Sequence, residues 1–165
     1  GRGHFYGHAK ISAALARGAM DRLSLPSSMR DDVLALVERH DDVIEATPKA
    51  VKRALARLGG NVALFRTLCD LKRADASAQA PGYADERIAR ADGLEHVLRQ
   101  ILEREEAFTL GQLAVDGRDA MAAGIPQGPR IGAALDAALD AIIDGDLPNE
   151  REELLAFLRG MAEAE

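Results

Sequence analysis

Basic side chains are concentrated between residues 47 and 73, although the chain as a whole carries a formal net charge of −6. Four of them follow one another at helical spacing, namely Lys49, Lys52, Arg53 and Arg57. Cations three and four residues apart on a helix repel one another, so we expect solvent or an anionic partner to compensate them. A nucleic-acid phosphate backbone is one such partner. The alternative is an ordinary solvated helix face.

Residues 113–149 have glycine, proline and aspartate at the positions where helix ends need them. Asp116 and Gly124 predict the two ends of a short helix. Gly128, followed by a proline, predicts the start of a second one. The first N–H groups of that helix would lie near the surface beside Arg130, a geometry that favours an anion such as phosphate. The alternative is a compact helical corner that binds nothing.

A third candidate site consists of His8, His40 with its neighbour Asp41, and Asp75, each near the end of a different predicted helix. Imidazole and carboxylate groups are ligands of divalent metals, and neighbouring helices of a bundle bring such ligands together. The more frequent alternative for histidines at these separations is an ordinary core or surface position. We find no nucleophile with an adjacent base, no dinucleotide-binding fingerprint and no P-loop.

The elements that would position these side chains are helices. Apolar residues recur every three or four positions, and capping residues fall between the periodic segments. We expect helices over about residues 8–25, 28–40, 47–58, 61–80, 85–105, 116–124, 128–145 and 150–162. The expected inner face of the first helix is Ile11, Leu15, Ala19 and Leu23. A capping box of Ser28 and Asp31 would start the second, with Met29, Val33, Leu36, Val37 and His40 on one face. The prediction is an all-α helical bundle of about seven to eight helices without a sheet.

Composition narrows the class of protein further. Apolar residues make up 47% of the chain but aromatic residues only 4%, and tryptophan is absent, which favours closely packed helices rich in alanine and leucine. The net charge excludes a uniformly basic surface but not a local basic patch. The single cysteine, Cys69, excludes an intrachain disulfide and favours a reducing compartment. No apolar run has the length of a membrane span and no signal peptide is recognisable, so we expect a cytoplasmic protein without membrane contact.

Five segments resemble bacterial CCA-adding tRNA nucleotidyltransferases of the poly(A) polymerase-like class, and together they extend over essentially the whole chain. They are GHFYGHAKISAALA at 3–16, VERHDDV at 37–43, TPKAVKRALARLG at 47–59, LKRADASAQ at 71–79 and the long run from LAVDGRD to LLAFL at 113–158. The last run is the most specific. The loop-like start, with three glycines in the first seven residues, leads us to expect a piece of a longer protein.

The resemblance implies the C-terminal helical half of such an enzyme, without its catalytic head. It implies a truncated HD-like helical domain over residues 1–82 and a body and tail domain over residues 83–165. His8, His40 and Asp75 match metal ligands of HD phosphohydrolases. The His-Asp doublet that names the HD motif is absent, however, and Asp41 stands where relatives often have a second histidine. We therefore expect no bound metal and no catalytic residue.

By the same resemblance, the parent enzyme would use Mg²⁺ with CTP and ATP, whereas this part would need no cofactor. The expected partner is tRNA, held at its acceptor and TΨC region. The resemblance and the two basic features together predict RNA contacts at Lys49, Lys52, Arg53, Arg118, Gly128 and Arg130. Two other functions stay open at this point: an HD-type metal-dependent phosphohydrolase and a helical protein-interaction module. Neither the oligomeric state nor the choice between CCA, CC and A addition follows from the sequence.

Overall fold

The structure is a computed structural model that describes residues 8–78, 82 and 84–163, with the backbone alone for residues 8–10. These residues contain eight α-helices and one 3-10 helix, Leu110–Gln112, and no strand, which confirms the predicted all-α class. The α-helices are α1 (His8–Arg22), α2 (Ser27–Arg39), α3 (Pro48–Arg57), α4 (Val62–Ser77), α5 (Ala84–Glu103), α6 (Gly117–Ala122), α7 (Pro129–Asp144) and α8 (Arg151–Glu163). No helix in this described part is long and apolar enough to cross a membrane.

Two compact units make up the structure, and each draws on two separate stretches of chain. The first unit contains the described parts of residues 1–46 and 61–96, so it includes α1, α2, α4 and most of α5. The second unit contains residues 47–60 and the described part of 97–165, and therefore α3 together with the end of α5 and all later helices. The expected domain boundary between residues 82 and 83 stays a prediction.

In the first unit α1 packs against α2, and α2 packs against α4. The α1–α2 contact is built around Ala13, Met20 and Leu34. Our prediction for α1 was wrong, because the side chains of Ile11, Leu15 and Leu23 are 65%, 71% and 70% exposed. Ile11 and Ala13 are two residues apart and therefore about 200° apart around the helix, so a helix that buries its alanine side exposes its leucine side.

The start of α2 also differs from the prediction. The helix begins at Ser27, with Pro26 in the N-cap position and no capping hydrogen bond from a side chain, so Ser28 does not form a capping box with Asp31. Pro26 already has the extended backbone of a cap, with φ −54° and ψ 144°. Because proline has no N–H group that needs a partner, Pro26 can stand directly before the first residue of the helix. Met29, expected inside, is half exposed, and Leu34 is the buried residue of this helix.

In the second unit α7 is the central helix and contacts α3, α6, α8 and the 3-10 helix. The core around it is made of alanine, leucine, isoleucine and valine, as the composition indicated. Its fully enclosed members are Ala107, Val115, Ala120, Ile125, Ala134, Ala138, Ile142, Leu154 and Leu158. Several of them are alanines, which allow helices to approach closely.

Several predicted helix ends are confirmed. The Thr47 hydroxyl accepts from the Ala50 N–H at 3.3 Å at the start of α3, and the Asn61 amide oxygen accepts from the Leu64 N–H at 3.0 Å at the start of α4. At the end of α7, Gly145 adopts the left-handed conformation with φ +85°. The caps of α3 and α7 fix where the basic residues of α3 and the last carboxylate of α7 lie.

Candidate nucleic-acid interface

The candidate interface begins where α6 and α7 start. Asp116 caps α6, because its carboxylate accepts from the N–H groups of Arg118 at 2.7 Å and Asp119 at 3.1 Å. The Asp119 carboxylate accepts from the Asp116 N–H at 3.0 Å, which completes the capping box that the sequence predicted. The short helix is thus held at its first turn, and Arg118 has a defined position in it.

The start of α7 has no such cap. Gly128 occupies the N-cap position with φ +127° and ψ −155°, a conformation that favours glycine, and no side chain bonds to the first N–H groups. Residues 126–130 are all exposed. The start of a helix carries a partial positive charge. In α7, Pro129 has no N–H group and the Ile131 N–H donates to the Gly128 carbonyl at 3.1 Å, so the charge of the helix start is the feature that favours an anion. The uncapped and exposed start of α7 is therefore suited to an anion, as the sequence indicated.

Arg118 and Arg130 each lie one residue from a contact between the two helix starts. A Cβ atom placed on Gly117 would lie 3.3 Å from Ile131 Cγ2, so the first turns of α6 and α7 touch at this point. Arg118 and Arg130 directly adjoin the two residues in contact, and both are exposed. We call Arg118, Gly128 and Arg130 the helix-start corner.

Carboxylates near the corner are already occupied. Arg151 at the start of α8 donates to both oxygens of Asp119, with Nη1 2.8 Å from Oδ2, and this guanidinium lowers the pKa of Asp119. Asn149 ties the loop before α8 to the loop before α6, since its side chain accepts from the Ala114 N–H at 2.9 Å and donates to the Gln112 carbonyl at 2.8 Å. These bonds hold the corner rigidly and leave little negative charge unpaired beside it.

The second basic feature lies at the start of α3, against the end of α7. One oxygen of Asp144, Oδ1, is 3.0 Å from Lys49 Nζ and 2.7 Å from Arg53 Nη2. The Lys49 ammonium, with help from Arg53, lowers the pKa of this carboxyl. The side chains of Lys49 and Arg53 remain 51% and 43% exposed. Their repulsion is therefore compensated from within the unit, where the sequence suggested solvent or a partner.

Lys52 lies on the inner side of α3 and not beside Lys49 and Arg53. Only 8% of its side chain is exposed, and its ammonium is 3.1 Å from a carboxylate oxygen of Glu106. A buried lysine paired in this way holds α3 to the segment after α5. The sequence-based prediction that Lys52 contacts RNA is untested, and the burial of its side chain leads us to expect no such contact. Arg57, the last residue of α3, is exposed.

The corner and the start of α3 lie at opposite ends of α7. Arg130 and Asp144 are 14 residues apart, which corresponds to roughly 21 Å along the helix, and they point to within about 40° of the same direction. Asp136 and Asp140 lie on the stretch between them, and neither is buried. An anionic chain would be repelled along that stretch. The geometry therefore offers two separate points of contact and not one continuous basic groove.

Candidate metal ligands of the first unit share one pocket with three cations, Lys72, Arg87 and Arg90. His40, Asp41 and Asp75 line it together with Lys72 and Arg87. The Arg87 guanidinium is 3.3 Å from Asp75 Oδ2 and 3.6 Å from Asp41 Oδ1, so its positive charge lies between the two carboxylates. The side chain of His8 is outside the described residues. Among the side chains that the structure describes, no group of three or more His, Cys, Asp or Glu is placed to hold a metal ion.

Lys72 closes the same pocket from α4. Its ammonium donates to the main-chain carbonyls of His40 at 2.8 Å, Asp42 at 2.7 Å and Arg39 at 3.3 Å, and burial lowers its pKa. A cation at the end of a helix satisfies carbonyls that have no partner within it. The imidazole of His40 donates from Nδ1 to the Val37 carbonyl at 2.7 Å. Lys72 and Arg87 thus bring positive charge into the pocket that His40, Asp41 and Asp75 line.

Two further cations between residues 47 and 73, Arg66 and Arg73, lie on α4 in different surroundings. Arg66 is exposed on α4. The Arg73 guanidinium is 2.7–2.8 Å from the carboxylates of Asp70, Asp92 and Glu95, and its hydrogen bonds to Glu95 and Asp92 raise its pKa. The cations between residues 47 and 73 therefore divide between the two units, those of α3 in the second and those of α4 in the first.

Sequence reasoning missed four partners: Asp144 of Lys49 and Arg53, Glu106 of Lys52, Arg151 of Asp119, and Arg87 of Asp41 and Asp75. Each lies between 12 and 95 positions away from the residue it meets. Arg87 shares α5 with Ala91 and Leu94, which also line the pocket. Nothing in the sequence itself, however, indicates that Arg87 pairs with Asp41 and Asp75. The other three pairs depend on how distant helices pack.

Residues 82–158 match the family tRNA nucleotidyltransferase domain 2. The whole chain is 32% identical, in an alignment of 173 residues, to the CC-adding tRNA nucleotidyltransferase of Thermus thermophilus. It spans 36% of the length of that relative. No solved structure matches the chain.

The two matches agree with the features described above. The family match begins just before α5 and ends in α8, so it contains the whole helix-start corner and the Asp119–Arg151 pair. The relative extends the similarity to α3 and to the pocket of the first unit. Both findings name the kind of enzyme that the sequence motifs resemble. Residues 82–158 thus belong to the tRNA nucleotidyltransferase domain 2 family, and the similarity to a tRNA nucleotidyltransferase extends over the whole chain.

Proposed function

We propose that this chain is a tRNA-binding helical part of a CC- or CCA-adding tRNA nucleotidyltransferase. In this proposal it holds the acceptor and TΨC region of the tRNA, and nucleotidyl transfer with Mg²⁺, CTP and ATP takes place in a part of the cytoplasmic enzyme outside this sequence. One observation carries the proposal: two arginines at the surface, Arg118 and Arg130, adjoin touching helix starts, one of which has no side-chain cap.

Phosphate is the group that fits this corner. The guanidinium groups supply full positive charges, and the start of α7 adds the partial positive charge of a helix N-terminus. The carboxylates nearest to Arg118 are engaged elsewhere, Asp116 in capping α6 and Asp119 with Arg151. Such contacts recognise the backbone of a nucleic acid and not its bases. Recognition of tRNA would then follow from its shape and from the spacing of the contacts.

Lys49 and Arg53 supply the second contact. They lie at the other end of α7, roughly 21 Å from Arg130 along the helix, and Asp136 and Asp140 separate the two points. A rigid RNA helix can touch both points and bridge the acidic stretch, whereas a flexible strand that follows the surface would meet repulsion. This favours the stacked helical arm of a tRNA as the ligand.

Filter binding to tRNA across a salt series tests the proposal. The variant Arg118→Ala/Arg130→Ala should bind more weakly, and the slope of log K against log salt should fall by about one to two, since each lost phosphate contact removes roughly 0.9. Arg99→Ala/Arg159→Ala is the matched control, because it removes the same charge from other positions of the second unit. Equal losses in both double variants, or an affinity indifferent to salt, would refute the proposal.

The phosphohydrolase alternative has one observation in its favour, since His40 and Asp75 do line one pocket. The same pocket holds Arg87 between the carboxylates, which makes a divalent cation less favourable there. Elemental analysis of protein incubated with Mn²⁺ or Zn²⁺ and then desalted tests this function. We expect no stoichiometric metal and no release of phosphate from a monoester or cyclic nucleotide; bound metal with turnover would establish the alternative.

A further inference from the structure

Asp144 occupies an unusual position at the end of α7. The last turn of a helix carries a partial negative charge, so a carboxylate there is disfavoured unless cations compensate it. Lys49 and Arg53 provide that compensation through a single carboxylate oxygen. Its other oxygen has neither of them as a partner. The arrangement thus places three charges within one contact, two positive and one negative.

Lys49 and Arg53 are also two of the cations that the proposed function places against RNA. About half of each side chain is exposed, so a phosphate can approach from solvent. In the protein without RNA, however, both already have an anion as partner. A phosphate that reaches this point is attracted by the combined charge of Lys49, Arg53 and Asp144. That combined charge is +1, whereas the two cations alone would carry +2.

We propose that Asp144 is a specificity-determining residue that acts as an internal competitor of phosphate at the start of α3. The proposal rests on the proposed function of the chain. Lys49 and Arg53 form the basic pair at the start of α3. Asp144 weakens the contact between this basic pair and any single phosphate, so that an RNA is bound firmly only when it also reaches the helix-start corner. An RNA that depends on the basic pair alone is rejected.

Asp144 differs in this respect from the other acidic residues of α7. Asp140 and Asp136 lie about one and two turns earlier on the same helix, respectively. The ion pairs of Lys49 and Arg53 go to Asp144 and not to them. Removal of one charge at Asp140 therefore changes the general field of the surface by the same amount without releasing the basic pair. This difference supplies a matched control.

The test compares Asp144→Asn with Asp140→Asn. Asparagine keeps an oxygen acceptor of the same shape, so Lys49 and Arg53 retain a neutral partner while the competing charge is lost. At low salt, Asp144→Asn should bind tRNA about three- to five-fold more tightly, the factor that one exposed ion pair represents. The salt slope should steepen by roughly 0.9, the amount for one more neutralised phosphate. Asp140→Asn should change the affinity by less than about two-fold, because it leaves the ion pairs in place.

Selectivity gives a second readout. An RNA duplex of unrelated sequence should gain more affinity from Asp144→Asn than tRNA does, so the ratio of the tRNA affinity to the duplex affinity should fall. In the background Lys49→Ala/Arg53→Ala the effect of Asp144→Asn should disappear. Circular dichroism verifies the fold of each variant, and Asp144→Ser replaces Asp144→Asn if the latter unfolds.

The outcomes separate the inference from the function on which it rests. Unchanged or weaker binding in folded Asp144→Asn or Asp144→Ser, or a gain equal to that of Asp140→Asn, overturns the inference while tRNA binding by the chain stands. A wild-type chain that does not bind tRNA, or that binds it equally well without Lys49 and Arg53, overturns the proposed function at this point and the inference with it.

Discussion

The buried pair of Lys52 and Glu106 separates a structural cation from the cations proposed to bind RNA. The Lys52 side chain is 8% exposed and that of Glu106 is 27% exposed, with 3.1 Å between nitrogen and oxygen. Loss of one partner of a fully buried pair costs about 3–5 kcal/mol, because the other charge is left without compensation. Water reaches part of Glu106, so we expect Glu106→Ala to lower the free energy of unfolding by about 2 kcal/mol, below the range for full burial.

Lys52→Met should behave differently, since it removes the buried charge and keeps an apolar side chain of similar length. The free energy of unfolding should stay within about 1 kcal/mol of the wild-type value. The double variant Lys52→Met/Glu106→Ala should be more stable than Glu106→Ala alone. Urea unfolding measures all three, and thermal unfolding should show a drop in Tm of about 4–8 °C for Glu106→Ala. Glu106→Ala as stable as the wild type, or Lys52→Met as unstable as Glu106→Ala, would refute the reasoning.

The same variants have an RNA readout. Lys52→Met should bind tRNA as tightly as the wild-type chain, because its ammonium is enclosed by the protein. Lys49→Met is the matched control on the same helix, and its side chain is half exposed. We expect it to weaken binding by a few-fold and to leave stability within about 0.5 kcal/mol. A larger loss of affinity from Lys52→Met than from Lys49→Met would contradict the division between the two lysines.

Further predictions concern glycine, acid and thiol chemistry. Gly128→Ala should lower the free energy of unfolding by about 1 kcal/mol or more, because the backbone at this position has φ +127°. Gly132→Ala, inside α7 with open space around it, should raise the free energy of unfolding by about 0.5–1 kcal/mol. Equal effects of the two variants in urea unfolding would contradict the conformation assigned to Gly128. The hydrogen bonds of Asp119 with Arg151 are the main cause of its lowered pKa. The contribution of this carboxylate to stability is therefore present above about pH 4 and is lost as the pH falls through the lowered pKa. Asp119→Asn should lose less stability than the wild type between about pH 6 and pH 3. Burial raises the pKa of Cys69 to about 11, so a disulfide reagent at about pH 8 should modify the folded chain far more slowly than the unfolded chain, and equal rates would show that the thiol is accessible.

Local chemistry made much of the fold predictable. Thr47, Asn61 and Asp116 cap their helices with their own side chains, within three residues of the N–H groups they bind. Such interactions depend only on neighbouring residues and can therefore be read from a sequence. The left-handed glycine that ends α7 belongs to the same class. The all-α class followed from these ends and from the helical spacing of the apolar residues.

Helix faces were harder to predict where the sequence contains apolar residues on two sides. In α1 the larger set, with Ile11 and Leu15, is exposed, and the side with Ala13 and Met20 contacts α2. Hydrophobicity ranks the leucine side first, but burial depends on which side the neighbouring helix can approach. The sequence of one helix does not contain that information.

The candidate site was predicted residue by residue only in part. The sequence indicated the uncapped start of α7 and the basic spacing of α3. It did not show that Lys52 points inward or that Asp144 compensates Lys49 and Arg53, because Asp144 lies more than 90 positions away. Packing of α3 against α7 decides the position of Asp144 beside the basic pair. Charges that look equivalent at helical spacing therefore have separate roles once the helix is packed.

A titration of the ¹⁵N-labelled chain with tRNA, followed by the amide resonances, tests the central claim most directly. We predict that the amides of Arg118, Gly128 and Arg130 are among those that shift most, together with those of Lys49 and Arg53 at the other end of α7. Amides of the Asp136–Asp140 stretch should change little. Binding with shifts confined to other residues, or no shift at saturating tRNA as expected of a helical protein-interaction module, would contradict the account.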